Sequence, residues 1–210
     1  MPTWNELFTQ EEFRWKDPHA QVVALVPILR ERGARRVLDL GCGAGRHVVY
    51  LAHEGFEVCG FDIAENGLAH TREWLARENL SAELKQGDIA QIPYPDDFFD
   101  AVISIYVIYH KIYAGMQGVV TEIHRVLKRG GVALVSLQSK RGYRYRFGEE
   151  IEPDTFITSI GADAGMPHHY SDFAEIERLF DRFIVRRVEL EEHIEEGNRH
   201  SHWQVVVEKE

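Results

Sequence analysis

Two rhythms of apolar residues alternate along this chain. Short continuous runs such as VLDL, EVCGF and DAVIS read as buried strands, whereas stretches in which apolar residues return at every third or fourth position read as helices. The first helix is predicted over Asp17–Arg32: Asp17 can cap it, Pro18 suits its first turn, and Val22, Leu25, Val26 and Leu29 share a face. Gly33 can end it, and Pro27 predicts a kink. A strand at Arg36–Leu40, a helix from about Gly45 to Glu54, a strand at Glu57–Phe61, a helix over Glu65–Glu78 and a strand at Ala82–Gln86 follow. FDAVISIYVI reads as a buried strand with its outgoing loop, Met116–Leu127 as a helix stopped before Gly130 and Gly131, and VALVSL as the next strand.

Strand and helix in alternation predict a parallel sheet with helices on both faces. Beyond Ser139 the rhythm changes to a polar loop, a short helix over Asp172–Phe180 and two strands, Arg182–Leu190 and Ser201–Glu208. The polar connection of about ten residues between those strands suits an antiparallel pair closing the sheet. The expectation is therefore an α/β, Rossmann-like doubly wound fold: a mostly parallel seven-stranded sheet with a C-terminal antiparallel strand pair. No repeat, low-complexity tract or shift in composition divides the chain, so residues 1–210 are expected to form one domain.

Composition adds exclusions. With 44% hydrophobic residues in 210, the chain can bury a substantial core. Thirty-four acids against 24 Lys and Arg leave a net charge of −10, a field that opposes counterion-driven binding to nucleic acid. The one basic run, Lys140, Arg141, Arg144 and Arg146 with Tyr143 and Tyr145 between, reads as a solvated loop rim. Cys42 and Cys59 have no disulfide spacing, which fits a reducing compartment. The first twenty residues carry no signal pattern, and the longest apolar run, VVALVPIL, is too short to span a bilayer. A cytoplasmic protein without nucleic-acid or membrane partners is expected; the sequence leaves the oligomeric state open.

The chemistry is carried by Val37–Ile63, VLDLGCGAGRHVVYLAHEGFEVCGFDI, where Gly41, Gly43 and Gly45 sit between a strand and a helix. Glycines there allow a sharp turn and close approach of backbone to a ligand, which points to something nucleotide-like. A dinucleotide fold would place its third glycine or an alanine at position 46, which is Arg46. Asp39, two residues before the first glycine, suits a cationic ligand better than a pyrophosphate.

These residues resemble the class I S-adenosylmethionine-dependent methyltransferases. VLDLGCGAG is similar to the family's first motif, VCGFDI to its second, KQGDIAQIPYPDDFFDAVIS to its third and fourth, and RVLKRGGVALVS to the segment entering its fifth strand. The matches run in order over about 37–137. The early tryptophan, EEIEPDTF, GMPHHY and RHSHWQVVVEK resemble small stand-alone methyltransferases of the type 11 or tellurite-resistance-like kind.

The resemblance implies S-adenosyl-L-methionine as cofactor, S-adenosyl-L-homocysteine as product and a small-molecule acceptor. It implies that Gly41, Cys42, Gly43 and Gly45 pass beneath the methionyl part while Asp39 orients its amino end. Asp62 would bind the ribose hydroxyls with Ile63 beside it, Asp88 the adenine amino group with Ile89 over the ring, and Ser104, Ile105 and Tyr106 would form the wall near the sulfonium. Segments 1–33 and 139–181 would be lid and acceptor-side segments.

Methyl transfer is a displacement in which alignment and exclusion of water supply much of the acceleration, so no catalytic triad is required. Candidates for the acceptor side lie outside the motifs: Trp15, Tyr106, His110, Tyr113, Arg141, Tyr143, His168, His169 and Tyr170. His110 follows the strand expected to border the methyl group and can act as base or orienter; its alternative is a solvated histidine at a helix start. His168 and His169 fall in the post-sheet segment, where a lid role competes with plain solvation. Among eleven histidines, His200 and His202 would share one face of the last strand, but no local triad completes a site, and no metal is expected. Two other readings share the glycine loop: an NAD(P)-dependent oxidoreductase and a non-catalytic module that binds S-adenosylmethionine.

Overall fold

The computed structural model describes residues 3–161 and 163–210. Its N-terminal segment holds the short helix α1 (Trp4–Leu7), closed by a capping box in which Thr3 Oγ1 accepts from Glu6 N and Thr3 N donates to the Glu6 carboxylate at 2.7 Å. Helix α2 (Ala20–Glu31) begins later than Asp17 would have started it. His19 is the cap, its Nδ1 accepting from Gln21 N, and Pro18 lies before the helix. Pro27 lies within α2, and Val22, Leu25, Val26 and Leu29 form its buried face.

The alternation then follows the sequence closely: β1 (Arg36–Leu40), α3 (Arg46–His53), β2 (Glu57–Asp62), α4 (Glu65–Arg77), β3 (Glu83–Gln86), β4 (Phe99–Ser104), a 3-10 turn at Ile108–His110, α5 (Tyr113–Val126) and β5 (Leu127–Ser139). The segment after β5 departs from expectation. In place of a polar loop it forms a small antiparallel meander, β6 (Glu149–Glu152), β7 (Thr155–Ile157) and β8 (Pro167–Ser171), before helix α6 (Phe173–Leu179). Its glutamates read as loop because β6 is an exposed edge, where charge is common on a strand.

The last two strands, β9 (Ile184–Glu195) and β10 (Asn198–Glu208), are longer than predicted. The polar run expected to be their connection continues the ladder as far as Glu195 opposite Asn198. Only Glu196 and Gly197 turn, both with positive φ (49° and 79°), as the twist of a two-residue hairpin demands.

The central sheet has the order β3-β2-β1-β4-β5-β10-β9, parallel through β5, with β10 antiparallel to β5 and to β9. The meander joins its edge where β8 pairs with Gln138 and Ser139, past the end of β4. Alternate residues divide the core. Leu38, Leu40, Phe61, Val102 and Val135 pack towards α5 and α6, while Val37, Val58, Ile103 and Leu134 pack towards α2, α3 and α4. All five parallel strands consequently end on one side of the sheet, where the crevice of a doubly wound fold opens. Among the described residues no helix is long and apolar enough to cross a membrane.

Candidate active site

A cavity of about 640 Å³ lies over those strand ends. One end is made by the loop from Gly41 to Gly45 together with Asp62, Ile63, Asp88 and Ile89. Each glycine has positive φ, and a Cβ would meet Val107 at Gly41, the Phe8 ring at Gly43 and Thr71 at Gly45, all at 2.5 Å or less. Gly67 lets α4 pack onto the loop, since a Cβ there would stand 2.7 Å from the Gly43 carbonyl oxygen.

Two carboxylates support this end. Asp62 is buried and accepts from Gly43 N at 2.8 Å and Ala64 N at 2.7 Å, one amide per oxygen, which fixes its plane and leaves lone pairs for two further donors. Burial pushes it up to about 6, against the pull of those amides. Asp39 does not line the cavity but lies buried beneath the loop. Its Oδ1 stands 3.9 Å from His47 Nδ1, and its Oδ2 has no hydrogen-bond partner. Cys42 lies between these carboxylates, and burial first, then Asp39 and Asp62, pushes its thiol well up, so it stays protonated. Asp88 is held by Ala90 N and by Lys111 Nζ, both at 2.9 Å, on the same Oδ1.

Arg46, where a dinucleotide fold would carry glycine, enters the cavity. Its guanidinium carbon lies 4.7 Å from the Trp15 ring centre and 5.8 Å from that of Tyr106, and among the described residues it has no ion pair. Tyr106 takes a left-handed backbone conformation (φ 64°), fixed by its amide donating to Ser136 Oγ, so that its ring turns into the cavity. Its hydroxyl lies 3.0 Å from His19 Nε2. Burial, with Arg46 and His47 nearby, pushes His19 down to about 4, so this imidazole is neutral at pH 7. Neither Phe8 nor His19 stood out in the sequence, because their use depends on the N-terminal segment folding back over the loop.

The far end is ringed by Tyr109, His110, Arg144, Asp163 and the inner face of the β9–β10 hairpin. His110 is half-buried against Trp4 and His168, with ring centres 4.6 and 4.5 Å away, and loss of solvent there pushes its imidazole well down, so it is neutral. Its Nδ1 lies 3.3 Å from the Pro167 carbonyl, which assigns the proton to Nδ1 and leaves Nε2 as acceptor. Burial pushes His202 down to about 3, and its ring packs 4.7 Å from that of Tyr106.

Several expectations need correction. Ser104 does not form the wall; its hydroxyl is buried and donates to the Leu40 carbonyl, and the wall is Ile105, Tyr106 and Val107. His168 and His169 are neither exposed nor on a loop: they sit in β8, 1% and 2% exposed, and neither lines the cavity. His168 Nε2 lies 2.9 Å from Asp163, which ties β8 to the connection before it, and His169 bridges Thr155 and the Glu175 carboxylate, which knits the meander to α6. Tyr113, Arg141 and Tyr170 also lie outside the cavity wall, whereas Trp15, Tyr143 and His110 are on it. The structure brings together Gly41, Cys42, Gly43, Gly45, Asp62, Ile63, Asp88, Ile89, Ile105, Tyr106 and His110 around one space.

Residues 37–131 match the model of a family described as "Methyltransferase domain". The chain is 40% identical over 102 residues to a sterol 24-C-methyltransferase of Gibberella zeae, an alignment covering 46% of this chain and 26% of that enzyme. It is 26% identical over 157 residues to a ubiquinone biosynthesis O-methyltransferase of Rickettsia prowazekii, covering 75% of this chain and 60% of that one. A crystal structure of an S-adenosylmethionine-dependent methyltransferase from Methanosarcina mazei superposes with a TM-score of 0.76 at 20% identity, covering 92% of this chain and 98% of the other. The chain thus spans well under two thirds of the sterol enzyme's length, while the structural likeness extends over the whole fold.

Proposed function

This chain belongs to the class I S-adenosylmethionine-dependent methyltransferases, and we propose that it moves the methyl group to a small molecule held at the His110 end of the cavity. The observation that carries the reading is the charge set around the glycine loop: the Arg46 guanidinium enters the cavity without an ion pair among the described residues, Asp62 faces the same space, and the Asp39 carboxylate lies buried beneath the loop. An amino acid end answers Arg46 with its carboxylate, while the negative field of Asp39 from beneath the loop favours its ammonium. A pyrophosphate would answer Arg46 and aggravate Asp39.

The remaining residues fit the same group. Asp62, with one amide fixed on each oxygen, receives the two ribose hydroxyls, and Ile63 and Ile89 enclose the adenine with Asp88 at its edge. Val107 and Phe8 press on Gly41 and Gly43, so the loop is held in shape before ligand arrives. When bound, S-adenosylmethionine would supply an electrophilic methyl carbon whose bond to sulfur breaks as the acceptor's lone pair bonds to that carbon, with S-adenosylhomocysteine as the leaving group.

The chain's part is alignment and drying. Residues 3–19 roof the loop through Trp4, Phe8 and Trp15, and the segment after β5 supplies Arg144 and Asp163, so both act as lid and acceptor-side segments. His110, neutral with Nε2 free to accept, orients a hydroxyl or thiol acceptor by accepting its hydrogen bond; His168 positions its ring and does not touch the acceptor.

The test has two stages. Calorimetry with S-adenosylhomocysteine should show binding and a raised melting temperature, while NAD and NADP should show neither; no heat and no shift at millimolar ligand would sink the reading. An acceptor library with labelled methyl donor and mass detection then identifies the acceptor, and label appearing in none of the pools would favour a binding module over an enzyme.

A further inference from the structure

The β9–β10 hairpin presents a cluster that the methyl-transfer reading leaves unused. His193 and His200 are direct cross-strand partners, their rings stacked at 4.8 Å and inclined by only 6°. Glu195 follows His193 by two residues and so projects from the same face, with its Oε2 3.7 Å from His200 Nε2. One ligand atom from each of the three lies within 4.8 Å of the others, and all three line the acceptor end of the cavity.

We propose that this hairpin binds one late first-row divalent cation of the Zn²⁺, Co²⁺ or Ni²⁺ class through His193, His200 and Glu195. Two imidazoles and one carboxylate form a donor set suited to those ions and poorly suited to Mg²⁺, which demands oxygen ligands. Ligand atoms around a tetrahedral zinc stand roughly 3.3 Å apart, so the side chains must close in by at most about 1.5 Å. His193 and Glu195 are exposed and make that rotation without disturbing the core. The two-residue turn at Glu196 and Gly197 fixes the register that sets His193 opposite His200, so the backbone is already in place. Three protein ligands leave at least one coordination position open, on a face that looks into the cavity.

A second group, His110, Asp163 and His168, also has ligating atoms within reach of one another. Its carboxylate is engaged: Asp163 Oδ1 meets Arg144 and Oδ2 meets His168, both at 2.9 Å, and the guanidinium beside it repels a cation. In the hairpin the carboxylate, Glu195, meets only His200, itself a member of the set, among the described residues; the charge of Arg144 reaches His200 but makes no hydrogen bond there. His202, which shares a face with His200, is turned to the rings of Tyr106 and Tyr109 and stays outside the set.

The experiment uses the full chain without a histidine tag. Calorimetry with Zn²⁺ should give one ion per chain, not displaced by excess Mg²⁺, and Co²⁺ should give a visible absorption band with a nitrogen-bound signature. His193→Ala and His200→Ala should each weaken Zn²⁺ binding at least tenfold, Glu195→Gln less, with melting temperatures near the parent's. His202→Ala should leave it unchanged, and S-adenosylhomocysteine affinity should be the same in His193→Ala as in the parent, which separates this site from the cofactor reading. Absent binding, or binding that survives both histidine changes, overturns the proposal. Loss on His168→Ala with retention in His193→Ala moves the ion to the other group and overturns it equally.

Discussion

The two ends of the cavity respond to protons in opposite ways. At the glycine-loop end the titrating group is a carboxylate, Asp62, raised by burial to about 6. At the other end it is imidazole: burial holds His202 at about 3 and pushes His110 down as well, while His19, at about 4, stands between the two ends beside Tyr106. At neutral pH Asp62 is mostly ionised at the first end, while the imidazoles of His110 and His202 at the second are uncharged. A cationic methyl donor is drawn to the first, and a hydroxyl or thiol acceptor meets unprotonated nitrogen at the second. The supports differ too, because backbone amides hold Asp62 whereas the His110 end leans on side chains from a separate meander.

The change that presses hardest on this comparison is His169→Ala. His169 bridges Thr155 and Glu175 out of the cavity's reach, so its loss strands a buried carboxylate. Unfolding in denaturant should show a loss of about 3 kcal/mol, with S-adenosylhomocysteine affinity retained. A variant as stable as the parent but slow in turnover would make His169 part of the chemistry and contradict the scaffold role.

Asp62→Ala probes the other end. Removing charge-assisted hydrogen bonds to two hydroxyls should weaken S-adenosylhomocysteine binding roughly 10- to 100-fold, a cost of about 1.5–3 kcal/mol. Asp62→Asn should lose less, because one oxygen acceptor survives. Parent-like affinity in the alanine variant would mean that the ribose lies elsewhere.

That contrast also explains what the sequence discloses. The loop end lies at the termini of consecutive parallel strands, so Asp62 and Asp88 were legible beside it from the apolar rhythm and the motif order, whereas Asp39, expected at the ligand's amino end, lies beneath the loop and off the cavity wall. The His110 end is assembled from residues as far apart as Trp4, Tyr106, Arg144 and His200. No local periodicity records that meeting. Ser104 was misread because a strand end exposes only alternate side chains, and it turns to Leu40 instead. His168 and His169 were misread because a polar strand buried through carboxylate partners looks like a loop when its partners, Asp163 and Glu175, are not yet known to face it.

The raised carboxyl yields a pH test with a definite sign. If the ribose hydroxyls donate to ionised Asp62, affinity for S-adenosylhomocysteine should be level above pH 6 and fall as pH drops through 6, by about tenfold between pH 7 and 5. For the free protein the same group acts the other way: its stabilising contribution is fully present below the unfolded carboxyl value and is lost as pH rises through 6. His19 and His202 oppose it, since their depressed values make stability fall as pH drops below the unfolded histidine value. Binding is therefore the cleaner readout, and Asp62→Asn should flatten its profile. A parent profile that is already flat would show that Asp62 does not carry its charge towards the ligand.

The smallest effect is expected at the roof, where α1 is latched to α4. The N-terminus of α4 has no side-chain cap of its own, since Ala64 occupies that position. Asn5 supplies one from a distance: its Oδ1 accepts from Asn66 N at 2.8 Å, and its carbonyl accepts from Asn66 Nδ2 at 2.7 Å. The same latch holds Phe8 over Gly43, so capping α4 and covering the loop are one arrangement. Asn5→Ala removes the cap and keeps the carbonyl, which should cost about 1 kcal/mol. If residues 3–19 close over bound ligand, the loss should appear mainly as faster release of S-adenosylhomocysteine, a few-fold in stopped-flow displacement, with little change in the association rate. Asn66→Ala should reproduce only part of it, since its backbone amide still meets Asn5. A parent-like release rate in Asn5→Ala would leave α1 as a helix cap and nothing more, and the loop end of the cavity would then be closed by Trp15 and Arg46 alone.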